Sequence, residues 1–346
     1  MMTSWLRSQR SFAACSQGGS SRRHMILVSL VFAMLAACEA PLDLTAVESE
    51  KNRAITRFDM FQGAAYAAQR LVLVSSTGAA LLSTDNGKNW QRFELPGRPS
   101  LIDVTSCSNG DFYALDSEKR VWAFTGESNT WISAVIETPE SVLSIHCAPN
   151  NRLWVSASFS TLYWSDAGTN NWHEYSMGDD LQFTAVQFVD AQHGFAVGEF
   201  GTVISSQDGG DSWEVLPPIP NEFYPMAMVF SDAETGWVGG LNGAIWGTVD
   251  GAQSWQRQET DSSSPVYGLY ASRSGVYAAG GGGKLVEFSA GKWGAMAGAP
   301  EVLAYLRALT TVGDQAVLAA GAGGTIALVP TSPYANSQAS VKVDDN

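Results

Sequence analysis

Short apolar runs recur along the chain, and residues that favour turns separate them. Runs such as Leu71–Val74, Phe112–Leu115 and Gly194–Val197 are followed, after a turn, by another apolar run. Runs of this length between turn residues are typical of β-strands. A tryptophan begins a further segment after most pairs, with spacings of 41, 41, 41, 42 and 38 residues, at Trp90, Trp131, Trp172, Trp213, Trp255 and Trp293. A regular period of this length with strand-like content predicts a β-propeller.

Seven such units can be counted between residues 57 and 330. They predict an all-β fold: a seven-bladed β-propeller made of four-stranded antiparallel blades. The seventh unit ends after Pro330 without a tryptophan-led fourth strand. Because an unpaired strand edge is unfavourable, we expect the segment that follows Cys38 to supply the closing strand.

The turn before the fourth strand carries the pattern Ser/Thr-x-Asp-x-Gly-x-x-Trp, known as the Asp box or BNR repeat. It is complete in blades 1 and 4 and has alanine in place of glycine in blade 5. We expect the Asp to bond backbone N–H groups two residues on, the Gly to supply a positive φ, and the Trp to cover the turn. The predicted structural residues are Ser83, Asp85, Gly87, Trp90, Ser206, Asp208, Gly210, Trp213, Thr248, Asp250 and Trp255.

Residues 1–37 have the features of a lipoprotein signal peptide. Arginines precede an apolar run that begins at Met25 and ends in Leu35-Ala36-Ala37-Cys38. The run is short for a membrane span and has signal-peptide flanks. Its end resembles the bacterial lipoprotein cleavage box, so we expect lipidation of Cys38 and a lipid-anchored tether over 38–56.

With a lipid on Cys38, we expect the protein to be anchored to a membrane on the exported side. Glu39 after the cysteine favours the outer membrane, with the chain facing the periplasm. In a photosynthetic organism the corresponding compartment is the thylakoid lumen. At the other end, residues 331–346 are polar and are expected to form a disordered tail.

The balance of charge argues against one class of partner. The chain has 34 acidic and 20 basic residues, a formal net charge of −14. Four of the basic residues lie in the predicted signal peptide, which leaves 16 basic against 34 acidic residues, a net charge of −18. Because affinity for nucleic acid depends on neutralising phosphates, we expect no nucleic-acid partner.

Two units carry a longer signature than the rest. The segment 186–198 leads into the Asp box that ends at Trp213, and the segment 228–240 leads into the one that ends at Trp255. Both resemble the photosystem II assembly and stability-factor propellers, whose repeats pair a Phe-x-Asp-x-x-x-Gly-Trp-x-Val-Gly phrase with an Asp box. The resemblance covers roughly residues 57–330 and implies an exported propeller, often a lipoprotein, that binds proteins and does not catalyse a reaction.

That resemblance implies a protein partner, either a membrane protein or an assembly intermediate, and we expect a monomer. Photosystem binding in the family is attributed to an Arg-rich patch. In this chain no arginine recurs at an equivalent place in each blade.

The alternative hypothesis is a sialidase-like glycosidase or a lectin, because sialidases also carry Asp boxes. Retaining glycosidases need two carboxylates that face each other across the sugar. The arginines of the body are scattered across the period, and the four histidines have no metal-ligand spacing. We therefore expect no catalytic, cofactor or metal site. Close carboxylates in the central cleft would favour the alternative, whereas glycine, alanine and aromatic linings would favour a scaffold.

Two further features concern specific side chains. Cys107 and Cys147 fall at equivalent places in consecutive blades. They are either a disulfide formed in an oxidising compartment or two small buried apolar residues, and both interpretations stay open.

Aromatic residues lie in turns that should share one face of the propeller. The candidate partner-binding residues are Phe159, Phe200, Phe223 and Tyr224. Exposed aromatic side chains on the loops of a rigid scaffold favour an interaction surface. The alternative is that these rings fold back over the central channel.

Overall fold

The computed structural model describes residues 43–51, 53–125, 129–167, 170–260 and 262–331. The chain divides into two units, residues 1–52 and residues 53–346. In the first unit the described residues form one helix, α1 (Thr45–Lys51), and the second unit holds all the strands. The predicted signal peptide, the predicted lipidation site Cys38 and the predicted tail after Thr331 lie outside the described residues.

The strands of blades 1 to 4 follow the chain in order. Blade 1 is β1 (Phe61–Ala67), β2 (Arg70–Ser75), β3 (Ala79–Ser83) and β4 (Gln91–Glu94). Blade 2 is β5 (Leu101–Ser106), β6 (Phe112–Asp116), β7 (Arg120–Phe124) and β8 (Ile132–Val135). Blade 3 is β9 (Val142–Cys147), β10 (Arg152–Ala157), β11 (Thr161–Asp166) and β12 (His173–Ser176). Blade 4 is β13 (Phe183–Phe188), β14 (Gly194–Gly198), β15 (Val203–Ser206) and β16 (Glu214–Val215).

Blades 5 to 7 continue the same order. Blade 5 is β17 (Pro225–Phe230), β18 (Gly236–Gly240), β19 (Ile245–Thr248) and β20 (Gln256–Gln258). Blade 6 is β21 (Val266–Ser272), β22 (Gly275–Gly280), β23 (Leu285–Ser289) and β24 (Lys292–Ala295). Blade 7 is β25 (Leu306–Val312), β26 (Ala316–Gly321) and β27 (Ile326–Pro330).

Each blade is an antiparallel meander in which successive strands are neighbours. The first strands of the seven blades surround a central channel. The predicted all-β, seven-bladed propeller is confirmed. Six sheets have four strands, and the sheet of blade 7 has three strands within the described residues.

The expected closing strand after Cys38 is wrong for the described part of that segment, which is helical. The Oδ1 atom of Asp43 accepts hydrogen bonds from the backbone N–H and the hydroxyl of Thr45, at 3.0 and 2.6 Å, and so caps the start of α1. The N–H of Glu48 then donates to the carbonyl of Leu44 at 2.9 Å. Leu44 and Val47 are three residues apart, which is a helical spacing and not the alternation of a strand.

The hydrophobic core is divided into seven wedges, one between each pair of neighbouring blades. The wedge between blades 1 and 2 contains Val72, Val104 and Phe112. The wedge between blades 7 and 1 contains Phe61 and Leu318. Because the second strand of every blade is buried on both faces, its residues read as a continuous apolar run, which is why these strands are visible in the sequence.

The residues that lead into β1 join the last blade to the first. Met60 forms an isolated bridge with Ala322, and the N–H of Gly324 donates to the carbonyl of Asp59 at 2.9 Å. The buried carboxylate of Asp59 accepts the N–H of Thr56 at 2.7 Å and pairs with Nη1 of Arg92, in β4, at 2.9 Å. One buried acid thus connects the outer strand of blade 1 to the segment that contacts blade 7.

Candidate functional site

The turns between second and third strands and the connections between blades lie on one side of the propeller, here called the turn face. Backbone hydrogen bonds join the two kinds of loop: the N–H of Ser160 donates to the carbonyl of Leu181 at 2.7 Å, and that of Ile219 donates to Gly201 at 2.8 Å. The turn face is therefore a continuous loop surface on a rigid ring, the arrangement on which binding residues are commonly placed.

Three of the predicted aromatic residues are exposed on the turn face. Phe159 is 49% exposed, Phe200 is 60% exposed and Tyr224 is 39% exposed. Leu241, in the equivalent turn of blade 5, is 48% exposed. These four side chains come from blades 3, 4 and 5 and their connections; we call them the apolar patch.

The prediction that Phe223 belongs to this exposed set is wrong. Phe223 is buried in the wedge between blades 4 and 5, with its ring centroid 6.4 Å from that of Trp246. A Cβ atom added at Gly240 would lie 2.5 Å from the Phe223 ring, so the fit is close. Phe223 follows a connection rich in proline and reaches inward, whereas its neighbour Tyr224 stays at the surface.

Phe159 and Phe200 occupy the same place in their turns and share an unusual backbone conformation. Their φ angles are +53° and +57°, in the left-handed region that disfavours side chains with a Cβ atom. Blade 6 has Gly282 at this place, with φ +65°, and blade 7 has Gly323, with φ +69°. Two blades thus hold an exposed phenylalanine where glycine would be favoured by backbone energetics.

The charged residues of the loops that carry the apolar patch are acidic. The turn-face loops from the connection that enters blade 3 to the turn of blade 5 contain no lysine or arginine; their acids are Glu137, Glu140, Asp179, Asp180, Glu199 and Glu222. Partial burial and the charge of Glu199 both raise the pKa of Tyr224. The nearest loop cation in blade 2, Lys119, donates to the carbonyls of Thr138 and Pro139. The surface is therefore apolar at its centre and negative around it.

The Asp-box turns lie on the opposite face and are filled by their own hydrogen bonds. The Ser or Thr hydroxyl donates to the Asp Oδ1 at 2.8 Å in all three. The Asp Oδ1 accepts the N–H of the residue four positions on, at 2.8 to 2.9 Å, in the pairs Asp85–Asn89, Asp208–Ser212 and Asp250–Ser254. The expected bond two residues on is wrong, because positive φ angles at Asn86 and Gly87 widen the turn around the carboxylate.

These hydrogen bonds give the Asp-box carboxylates a structural role in the turn. Hydrogen bonds from Asn89 lower the pKa of Asp85 to about 2, and those from Ser212 lower the pKa of Asp208 to about 2. Trp213 covers its turn with ring centroids 5.6 Å from Trp154 and 5.7 Å from Phe188. The geometry gives these residues a turn-forming arrangement and no open coordination site.

The central channel has a volume of about 410 Å³ and is lined by the first strands. Glycine, alanine and tyrosine are prominent in its lining, among them Gly63, Ala64, Tyr66, Ala185, Ala227, Tyr267, Gly268 and Tyr270. Among the described lining residues Asp103 is the one carboxylate. The carbohydrate hypothesis required two facing carboxylates, so this lining favours the scaffold hypothesis.

Two buried titratable groups of the channel are engaged in contacts between blades. Burial raises the pKa of Asp103 to about 6, opposed by hydrogen bonds from the N–H groups of Ile145 and Val104 and by the charge of Arg307. Burial lowers the pKa of His146 to about 4, and its Nε2 atom lies 3.1 Å from the carbonyl of Phe188. Both side chains connect one blade to the next, so their hydrogen bonds have a structural role.

Cys107 and Cys147 form a disulfide in the structure, with their Cα atoms 5.2 Å apart. The bond joins the first strand of blade 3 to the end of the first strand of blade 2, within the wedge that the two blades share. No group of three or more His, Cys, Asp or Glu side chains positioned to hold a metal ion occurs in the part of the chain that the structure describes. Helices long and apolar enough to cross a bilayer are likewise absent from the described ranges.

The channel residue that sequence reasoning missed is Arg307. The second and third strands form conspicuous apolar runs, whereas the first strands, which line the channel, do not. The residue that is skipped in the pairing of each first strand with the second is visible only in the folded structure, so no signal in the sequence identifies Arg307.

Comparison with known proteins gives three kinds of similarity. The sequence profile of the family described as photosynthesis system II assembly factor YCF48 matches residues 61–215 and 164–265. The photosystem II assembly protein Ycf48 of Thermosynechococcus vestitus is 29% identical over 162 residues, which is 44% of this chain and 46% of that protein. A photosystem II assembly lipoprotein Ycf48 of a Synechococcus strain is 26% identical over 151 residues, 42% of this chain and 45% of that protein. The chain thus spans about half the length of the curated relatives it matches.

Solved structures show the same fold at lower identity. YCF48 from Cyanidioschyzon merolae has a TM-score of 0.65 at 17% identity, covering 80% of this chain and 96% of that one. A structure of YCF48 bound to D1 peptide has a TM-score of 0.66 at 14% identity, covering 81% and 94%. A catalytically inactive virginiamycin B lyase from Staphylococcus aureus with quinupristin scores 0.67 at 11% identity, covering 79% and 96%. At these identities the likeness concerns the fold alone.

Proposed function

Because this chain belongs to the Ycf48 family of photosystem II assembly factors, we propose that it is a non-catalytic scaffold that binds a membrane-protein subunit during assembly. The docking surface in this proposal is the apolar patch with its surrounding carboxylates. The two kinds of relative support a protein partner: curated photosystem II assembly proteins, and a solved YCF48 that holds a D1 peptide.

The observation that carries the proposal is the conformation of Phe159 and Phe200. A left-handed backbone costs a residue with a side chain roughly 1–2 kcal/mol relative to glycine. Both rings are at least about half exposed, so burial within the chain does not offset that cost. Strain held by exposed aromatic side chains is typical of binding sites, where contact with a partner covers the rings.

The surrounding acids define the chemistry of the partner segment. Glu199 lies near the exposed Tyr224, and Asp179 and Asp180 belong to the connection that bonds to the turn of Phe159. A segment with apolar side chains between lysines or arginines complements this surface. Charge complementarity of this kind raises the rate of association and disfavours acidic competitors.

The proposal also includes a lipid anchor on Cys38 and an exported, monomeric protein. The sequence around the cysteine motivates it, and one relative is described as an assembly lipoprotein. The membrane would be the outer membrane facing the periplasm or, in a photosynthetic host, a membrane facing the thylakoid lumen. Cys38→Ser should leave the precursor unprocessed or release the protein from the membrane fraction; wild-type protein found entirely in the soluble fraction would exclude the anchor.

The docking surface is tested by removing both rings without altering the backbone. In Phe159→Gly/Phe200→Gly the turns acquire the residue that blades 6 and 7 already use, so folding should be preserved. Crosslinked capture from membranes, quantified for one identified partner subunit, should weaken by at least about tenfold, or about 1.4 kcal/mol.

The matched control is Val249→Gly, which removes an apolar side chain that is 73% exposed in an Asp-box turn on the opposite face. It should capture the same subunit as well as the wild type. Equal capture by the double glycine variant and the wild type would show that the apolar patch is not the docking surface.

A further inference from the structure

The first strand of every blade has one residue that is skipped in its pairing with the second strand. The skipped residues are Gln62, Ile102, Leu143, Thr184, Met226, Tyr267 and Arg307. Such a bulge turns a side chain away from its place in the ladder. Six of the seven line the central channel. Each stands at the start of its strand, so together they form the mouth of the channel on the turn face.

Arg307 is the one lysine or arginine among the described residues that line the channel. Four arginines of the blades have carboxylate partners within ion-pair distance; for example, Arg92 pairs with Asp59 and Arg120 pairs with Asp116. For Arg307 no carboxylate lies within the 4 Å of an ion pair in the described part of the chain, and Asp103 interacts with its charge from a longer distance.

The acid that shares the channel with Arg307 is directed elsewhere. Asp103 accepts hydrogen bonds from the N–H of Ile145 at 3.0 Å and from its own neighbour Val104 at 2.8 Å. These bonds hold the carboxylate against blade 3 and beyond ion-pair distance of Arg307, although the opposite charges of the two side chains attract each other across the channel. The guanidinium therefore keeps its capacity for a bidentate bond to a ligand.

The two sides of the mouth differ in polarity. Next to Arg307 are Tyr267 and Gln62, and the Gln62 amide donates to the hydroxyl of Tyr305 at 3.0 Å. Because the Tyr305 hydroxyl accepts this hydrogen bond, its own proton remains available for donation to a ligand. Leu143 and Met226 line other parts of the mouth with apolar side chains.

We propose that the mouth of the channel binds a small aliphatic carboxylate, with the carboxylate on Arg307 and the aliphatic part against Leu143 and Met226. A single guanidinium in a chain of net charge −14 matches a monoanion better than a phosphate dianion. The channel volume of about 410 Å³ admits a ligand of the size of one acylated amino acid. The site is separate from the apolar patch, and its proposal does not depend on the docking function.

The test uses the purified full chain and N-acetyl-leucine as the probe, with N-acetyl-leucinamide as its uncharged match. Calorimetry or ligand-observed NMR should show saturable binding of the acid below about 10 mM and binding of the amide at least about tenfold weaker. Arg307→Gln should weaken binding of the acid by at least about tenfold, and Leu143→Ser should reduce the preference for N-acetyl-leucine over acetate.

Arg257→Gln is the control, because Arg257 is an exposed arginine on the outer strand β20. It should bind the acid like the wild type, and all variants should retain the wild-type melting temperature. Unchanged affinity in Arg307→Gln, equal binding of acid and amide, or no saturable binding of the acid would each overturn the site. Inorganic phosphate that competes as strongly as N-acetyl-leucine would overturn the carboxylate assignment.

Discussion

The Asp-box glycine position predicts a graded response to the same substitution in different blades. Gly87, Gly210 and Ala252 occupy equivalent places, and all three have positive φ angles, of +84°, +90° and +67°. What differs is the residue of the preceding blade that faces them. A Cβ atom at Gly87 would have ordinary contacts, 3.5 Å to Leu71 of its own blade and 3.8 Å to Leu318 of blade 7, whereas one at Gly210 would lie 2.2 Å from the Trp154 ring of blade 3.

The magnitudes follow from these distances. Gly87→Ala should cost about 1 kcal/mol, since only the left-handed conformation opposes it. Gly210→Ala should cost about 3 kcal/mol, because overpacking adds roughly 1–3 kcal/mol and Trp154 is fully buried with its ring stacked on Phe188. Ala252→Gly should change stability by less than about 0.5 kcal/mol, because relief of strain is offset by loss of a buried methyl group.

Urea unfolding at constant m-value measures these differences. A double-mutant cycle with Trp154→Phe isolates the clash: blade 4 has Phe195 at the place of Trp154, and there alanine is tolerated at position 252. In the Trp154→Phe background, Gly210→Ala should cost no more than Gly87→Ala does in the wild type. Equal costs for the two glycine substitutions in the wild type would refute the steric argument.

Further predictions concern the bonds between blades. Cys147→Ser, or reduction of the disulfide, should lower the free energy of unfolding by about 4 kcal/mol, because the bond closes a loop of 40 residues in the unfolded chain. A urea unfolding midpoint that does not change when dithiothreitol is added would contradict this. Asp59→Asn should cost about 3 kcal/mol because it removes the buried partner of Arg92, whereas Arg98→Gln, in an exposed pair, should cost under about 1 kcal/mol in the same titration. The pKa of His146 in the folded state is lowered to about 4, so the stability that its neutral ring contributes is present above pH 6.5 and is lost as the pH falls towards 4. His146→Gln should make the unfolding midpoint less dependent on pH between 6.5 and 4. An unchanged pH dependence in this variant would exclude the effect.

The blade repeat could be predicted because its signals are local. The two central strands of a blade are apolar runs, and in blades 1, 4 and 5 the fourth strand follows a turn whose hydrogen bonds lie within eight residues. The same locality explains the errors. Whether Phe223 is exposed depends on Trp246 in β19, the third strand of blade 5, and on close packing at Gly240, which no local pattern encodes. Thr45–Lys51 is too short for its helical spacing to be distinguished from alternation.

The channel mouth was out of reach for a different reason. Its residues are about 40 positions apart in sequence and come from seven strands, so their side chains meet only once the ring has closed. Arg307 differs from the scattered surface arginines in its surroundings and not in its sequence context. Which polar side chains line the channel is therefore determined by how the seven blades assemble.

The junction of blades 7 and 1 has a consequence for the order in which the chain folds. Six of the seven wedges join repeats that are neighbours in the sequence, so the contacts that form these wedges close only short loops of the chain. The seventh joins Met60 to Ala322, about 260 residues apart, and its loop-closure entropy is correspondingly larger. A chain that is synthesised from its N-terminus can bury six wedges as it lengthens, but Phe61, Leu71 and Leu81 stay uncovered until the last blade has formed. The chain is therefore most prone to aggregate in the interval before the ring closes, and chaperones that bind exposed apolar surface would act in that interval.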